Sequence, residues 1–163
     1  MKIIILLSFA TLVVSCGQGN DNDTAKLQQQ VDSLQKQLNG AYRPGLGEFM
    51  MGVQEHHAKL WFAGINQNWP LADFEVHEIG ETVDDIKKYC TDRPEVKSIG
   101  IIDPAIGSIN AAIKQKSTEQ FKKAFTDLTN SCNNCHKDNQ HGFNVITIPS
   151  GLPSENQKFK PGN

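Results

Sequence analysis

The sequence predicts an all-α protein whose working part is an up-down-up-down bundle of four helices over residues 45–138. Three observations predict it. Four successive stretches repeat apolar residues at spacings of three and four, the period of a helix that buries one face. Short segments between them carry helix-starting and helix-stopping residues. No segment before Val145–Ile148 alternates convincingly with a period of two, as a half-buried strand would. The run Ile99-Gly100-Ile101-Ile102 is apolar enough for a strand but has no obvious partner.

Ahead of the bundle, Gly17 to Thr24 (GQGNDNDT) reads as a flexible stalk. Leu27, Val31, Leu34 and Leu38 then recur at spacings of four, three and four. That makes two heptads, fewer than the three or four that define a coiled coil, so a short amphipathic spacer helix is expected, with an oligomerising coil as the alternative. Asn39-Gly40 and Pro44-Gly45 break the chain and set a domain boundary, which leaves residues 16–44 as the stalk. The first bundle helix, Leu46 to Gly64, aligns Leu46, Phe49, Met50, Val53, His57, Leu60, Trp61 and Gly64 on one stripe. The second starts at Trp69-Pro70, with proline tolerated in a first turn, and aligns Ala72, Val76, Ile79, Val83, Ile86 and Cys90. Arg93-Pro94 stops it. The third opens at Asp103-Pro104, a cap followed by proline, and carries Ile106, Ile109 and Ile113. The fourth opens at Ser117, with Gln120 completing a capping box, and aligns Phe121, Phe125, Leu128, Cys132 and Cys135. Residues 139–163, rich in Asn, Pro and Gly, form an irregular tail expected to lie over the bundle.

Composition narrows the function classes. The 163 residues include 16 basic and 18 acidic side chains, a formal net charge of −2. That near balance offers no basic footprint for nucleic acid and no field to steer a charged partner. Four cysteines (Cys16, Cys90, Cys132 and Cys135) are too few and too unevenly spaced for a disulfide framework. The first of them closes an N-terminal signal. Lys2 precedes an apolar run from Ile3 to Val14, too short to span a bilayer and of the form of a secretory signal. Val13-Val14-Ser15-Cys16 resembles the lipobox of bacterial lipoproteins. The resemblance implies residues 1–15 as a cleaved lipoprotein signal peptide and lipidation of the Cys16 thiol. Several acyl chains would anchor the protein stably, at the periplasmic side of a membrane or at the cell surface. A plain secretory signal with an incidental cysteine is the alternative. Export in either form places the other thiols outside the cytoplasm.

Cys132-Asn133-Asn134-Cys135-His136 is a Cys-x-x-Cys-His motif, the attachment signature of c-type haem. Two thiols at this spacing add across the two vinyl groups of one haem, and the adjacent imidazole reaches its iron. Both thiols fall on the apolar stripe of the fourth helix, facing the core. Three other readings compete. A thioredoxin-like redox pair needs a βαβ setting that this chain lacks. A structural zinc site needs four ligands, and only His141 lies near as the fourth. A plain disulfide is compatible with an oxidising compartment.

A four-helix bundle with this motif near the end of its last helix resembles the class II cytochromes c, the cytochrome c′ type. The resemblance covers about Leu46 to His141 and rests on architecture and motif position. The strings His57-Ala58-Lys59-Leu60-Trp61-Phe62-Ala63-Gly64 and Asn68-Trp69-Pro70-Leu71-Ala72 also look like lipid-anchored bacterial relatives of that group. It implies one covalent haem c attached at Cys132 and Cys135, with His136 as proximal ligand. In the family a methionine fills the sixth position of low-spin members, and five-coordinate members leave it without a protein ligand. That position faces the start of the first bundle helix, since helices one and four run antiparallel. At 100° per residue, Met50 lies within about 50° of the centre of its stripe and Met51 about 150° away. His57 shares the stripe but sits roughly 10 Å further along the axis. Met50 is therefore ranked first as sixth ligand, His57 second and Met51 third, with ordinary core packing as the alternative role for Met50.

The expected function is that of a membrane-anchored electron carrier, with redox proteins of the cell envelope as partners and no substrate site of its own. A five-coordinate haem protein binding a diatomic gas such as nitric oxide is the alternative. A haem-free structural lipoprotein is a third reading. Class II bundles often dimerise through their first two helices, so a homodimer is among the expectations. The remaining conspicuous side chains receive plainer roles. His56 and His57 diverge on their helix and form no two-histidine site. Trp61, Phe62 and Trp69 pack around the haem edge or the first turn. Lys59 or Arg93 pairs with a haem propionate, Cys90 fills the core, and His77 and His141 lie on the surface.

Overall fold

The structure is a computed structural model and describes residues 21–162. The expected signal peptide and lipidation site, residues 1–15 and Cys16, lie outside the described residues. These contain five α-helices, two short 3₁₀ turns and no strand: α1 (Asp21–Gly40), α2 (Leu46–Ile65), α3 (Trp69–Tyr89), α4 (Asp103–Lys114) and α5 (Thr118–Asp138). The 3₁₀ turns, Pro94–Lys97 and Ile99–Ile102, join α3 to α4. The chain divides into two compact units between Tyr42 and Arg43.

In the first unit, α1 already includes Asp21 to Thr24, part of the segment expected to be a flexible stalk. The stripe residues Leu27, Val31, Leu34 and Leu38 are 53–63% exposed.

The second unit holds the four predicted bundle helices, α2 to α5, and their boundaries follow local chemistry. Asn68 caps α3 by accepting from the Leu71 amide, and Pro70 needs no N–H in the first turn. Ser117 caps α5 by accepting from the Gln120 amide, as the capping box anticipates. Asp103 does not act as a cap. It lies inside the first turn of α4, with Ile102 at the cap position, and its carboxylate accepts instead from Lys87 Nζ of α3. Ile99–Ile102 is a 3₁₀ turn and not a strand. Its bonds are local: the Ile101 amide donates to the Ser98 carbonyl and the Asp103 amide to that of Gly100.

Three helices end alike. Gln67, Lys116 and Gln140 follow α2, α4 and α5 with φ of 59°, 50° and 64°. In each case that residue and the next donate back to the last turn: Gln67 and Asn68 to Gly64 and Ala63, Lys116 and Ser117 to Ile113 and Ala112, Gln140 and His141 to Lys137 and His136. These are Schellman reversals built without glycine.

The most extensive packing is between α2 and α3 and between α4 and α5, with α3 against α4 and α2 against α5 completing the core. Leu60, Ala72, Ile86, Ile109, Phe121 and Phe125 are wholly buried there. At one crossing Gly64 of α2 meets Phe121 of α5 so closely that a Cβ on residue 64 would overlap the ring. Trp61 and Trp69 flank the same phenylalanine pair, with centroids 4.9 Å from Phe125 and 6.2 Å from Phe121. The tail lies over this unit, as expected. Phe159 is buried and packs on Phe62 at 5.6 Å.

Candidate functional site

The apolar stripe of α5 continues from Phe121, Phe125 and Leu128 to Cys132, which packs partly buried against the core. Cys135 and His136 follow one turn on. Because α5 outruns the core here, these side chains border a cavity of about 530 Å³ rather than a packed interior. That volume falls among those of small-molecule and cofactor sites, about 300–1,000 Å³. The first half of α2 forms the facing wall with Leu46, Met50, Val53 and His57. Ile99 and Ile146 close the apolar lining, while Arg93, Glu95, Asn139 and His141 supply polar groups. The predicted residues Cys132, Cys135, His136 and Met50 thus share one cavity with the two runners-up, His57 and Met51. Met51 is 65% exposed, in keeping with its angular position, whereas Met50 is half-buried against the core.

His136 is oriented by the tail. Its Nδ1 lies 2.6 Å from the Asn144 carbonyl, and a carbonyl can only accept, so Nδ1 carries the hydrogen. In the uncharged tautomer this bond leaves the lone pair on Nε2. A backbone carbonyl holding one ring nitrogen while the other faces a metal is the usual arrangement around ligating histidines.

His57 is held differently. Thr129 donates its hydroxyl hydrogen to the Phe125 carbonyl at 2.9 Å, so its oxygen accepts from His57 Nε2, also at 2.9 Å. The ring stacks on Phe125 at 4.4 Å, and burial lowers its pKa to about 4. His57 is thus a neutral imidazole with Nε2 committed to α5. The adjacent His56 turns away to Glu75, its Nδ1 2.7 Å from the carboxylate, as the divergence of neighbouring helical positions requires.

Cys132 and Cys135 are free thiols. Burial, with Cys135 alongside, raises Cys132 to about 11. Burial also raises Cys135, opposed by hydrogen bonds from Ser98 and Asn139. Both lie toward the negative end of the α5 dipole, which disfavours thiolate further. At the rim, Arg93 grips Glu95 through two bonds, Nη2 to Oε1 at 2.8 Å and Nε to Oε2 at 3.3 Å. That guanidinium, the Glu95 amide and His141 together lower the carboxyl to about 2.

Several expectations change. His141 is not a plain surface residue: it lines the cavity and lies 3.2 Å from Glu95 through Nε2. The bend at Gln140 turns the chain back and carries it there. Trp61, Phe62 and Trp69 line no part of the cavity and serve the core and the tail. Lys59 pairs with Glu55 at 2.6 Å, which leaves Arg93 as the cavity's own cation. Asn133 was not expected to matter. Its side-chain amide donates to the Ile146 carbonyl and accepts from the Ile146 amide, both at 2.8 Å, and so fixes the tail segment that orients His136. An asparagine inside the motif was its only sequence signal.

Among the described residues no three His, Cys, Asp or Glu side chains converge as a metal-binding group, and no helix is long and apolar enough to cross a membrane. Comparison with known proteins finds no matching family model, no matching curated protein and no matching solved structure.

Proposed function

We propose that the second unit is a monohaem c-type cytochrome domain that passes single electrons between redox proteins. One observation carries the reading: two free thiols and a histidine with an oriented Nε2 lone pair border one cavity, with a methionine on the wall across from them. Cys132 and Cys135 would hold the haem through thioether bonds. His136, through Nε2, and the Met50 thioether would hold its iron. Bound there, the haem would supply a one-electron couple that a thioether ligand biases toward the reduced state.

The surrounding residues support this in distinct ways. Leu46, Val53, Ile99 and Ile146 form an apolar lining suited to a porphyrin. Asn144 and Asn133 hold His136 in one tautomer and one orientation. His57 is held to α5 by its bond to Thr129 and lies roughly 10 Å further along α2 than Met50, which favours Met50. High thiol pKa values do not suit a thioredoxin-like pair, whose attacking cysteine needs ready thiolate. The packing of α2 on α5, added to that of consecutive helices, supports the up-down-up-down order and the class II cytochrome resemblance. The lipobox-like Val13–Cys16 supports lipid anchoring at Cys16 in the cell envelope, which would keep the carrier near its redox partners.

Expression in a host that attaches haem tests the proposal. The expected product gains the mass of one haem and shows a c-type haemochrome spectrum, and both are lost in Cys132→Ala/Cys135→Ala. Absence of covalent haem in the wild type overturns the reading. Met50→Ala is expected to convert a six-coordinate low-spin spectrum to five-coordinate high-spin. A wild type already five-coordinate, and unchanged by that substitution, would point to gas binding instead.

A further inference from the structure

α1 belongs to the first unit, and its sequence resolves into heptads when Val31 is placed at position a. Thr24, Val31 and Leu38 then occupy a, while Leu27 and Leu34 occupy d. All three apolar spacings fit a narrow two-residue seam, not the broader face of a helix docked on a globular core. The flanking e and g positions are Gln28, Gln30, Gln35 and Gln37. The charged residues of the repeat, Lys26, Asp32 and Lys36, fall at c, b and f, on the side away from the seam. Gln28 and Gln35 also brace the helix, donating to Asp32 at 2.8 Å and to Asn39 at 3.2 Å.

We infer that this seam pairs with a second copy of the chain, as a parallel two-stranded coiled coil over residues 24–38. Identical copies face each other with identical flanks, so like charges at e and g would repel. An amide both donates and accepts, and glutamine is therefore compatible with its own copy. A β-branched residue at a and leucine at d, as at Val31 and Leu34, favour two parallel strands. A membrane surface fits less well: the polar face carries only Lys26 and Lys36 as cations and lacks the basic density of interfacial helices. The inference does not depend on the haem reading.

The chain from residue 16 onward, carrying Cys16→Ser so that no lipid contributes, is examined by sedimentation equilibrium with and without neutral or anionic phospholipid vesicles. The expected result is a reversible dimer that Leu27→Asp/Leu34→Asp converts to monomer without altering the unfolding of the second unit. A wild type monomeric up to millimolar concentration, a dimer that survives the double substitution, or vesicle binding in place of dimerisation would each overturn the proposal. Orientation is tested separately. In a parallel pair position 30 of one strand meets position 35 of the other, so Gln30→Lys/Gln35→Glu should tighten dimerisation about three- to tenfold. An antiparallel pair sets like positions against each other, and the same variant weakening the dimer would overturn the parallel arrangement.

Discussion

At the scale of single residues, His57 couples the site to acid. Its pKa is about 4 in the folded chain, against 6.5 for an exposed imidazole. Between those values the unfolded chain binds a proton that the folded chain refuses, so stability falls as pH drops through the interval. The stabilisation is complete above about pH 6.5 and lost below about 4, a change on the order of 3 kcal/mol. Urea unfolding from pH 7 to 4 should show this slope in the wild type and a flatter one in His57→Leu. Thr129 keeps its bond to the Phe125 carbonyl in that variant, so no buried donor is stranded. Glu95 acts in a lower window, because Arg93 first of all holds its carboxyl near 2. Its contribution is present above about pH 4.5 and lost as the pH falls toward 2.

At the scale of elements, Gly64 sets how near α2 comes to α5. The ring it meets belongs to Phe121, which has no exposed surface and is hemmed in by Trp61, Trp69 and Phe125. Gly64→Ala gains helix propensity but forces the helices apart. We expect a net loss of about 1–3 kcal/mol, read as a lower unfolding midpoint in denaturant. The contact also marks where sequence reading stops. All four helices of the second unit were legible because their stripes keep one period and because Pro70 and Ser117 mark two of the starts; the Asn68 cap was not read. The first stripe included Gly64 without assigning it a role, and no pattern in one helix names the ring it meets. The helix ends at Gln67, Lys116 and Gln140 were less legible, since the residue that usually marks a left-handed reversal is glycine. Asp103 misled by one position, because a proline at the second residue fits equally well when the cap precedes the aspartate.

At the scale of the whole molecule, the cavity is assembled from distant stretches: residues 45–57, 93–99 and 132–146. Of the residues lining it, Cys132, Cys135 and His136 were legible from the spacing of their motif and Met50 from its place on the α2 stripe. The contribution of the tail was not. Its backbone carbonyl at Asn144 and its amide at Ile146 have no side-chain signature, so nothing before the structure linked them to His136 and Asn133.

The Asn133 clamp has a consequence for how the molecule breathes. It joins a segment that is exposed at Gly142, Phe143, Asn144 and Val145 to a helix rooted in the core. Such a segment can lift by breaking a few local bonds, whereas freeing Leu60 or Phe125 requires the bundle to unfold. Hydrogen exchange should therefore separate two classes of amide. The His141 and Ile146 amides, donated to His136 and Asn133, should exchange through local opening, while those of central α2 and α5 follow global unfolding. Asn133→Ala should speed exchange at Ile146 and leave the second class nearly unchanged. Equal acceleration of both classes would mean that the lip and the bundle open as one. Separate opening would allow the lip over His136 to part on its own many times within the lifetime of a single folded molecule.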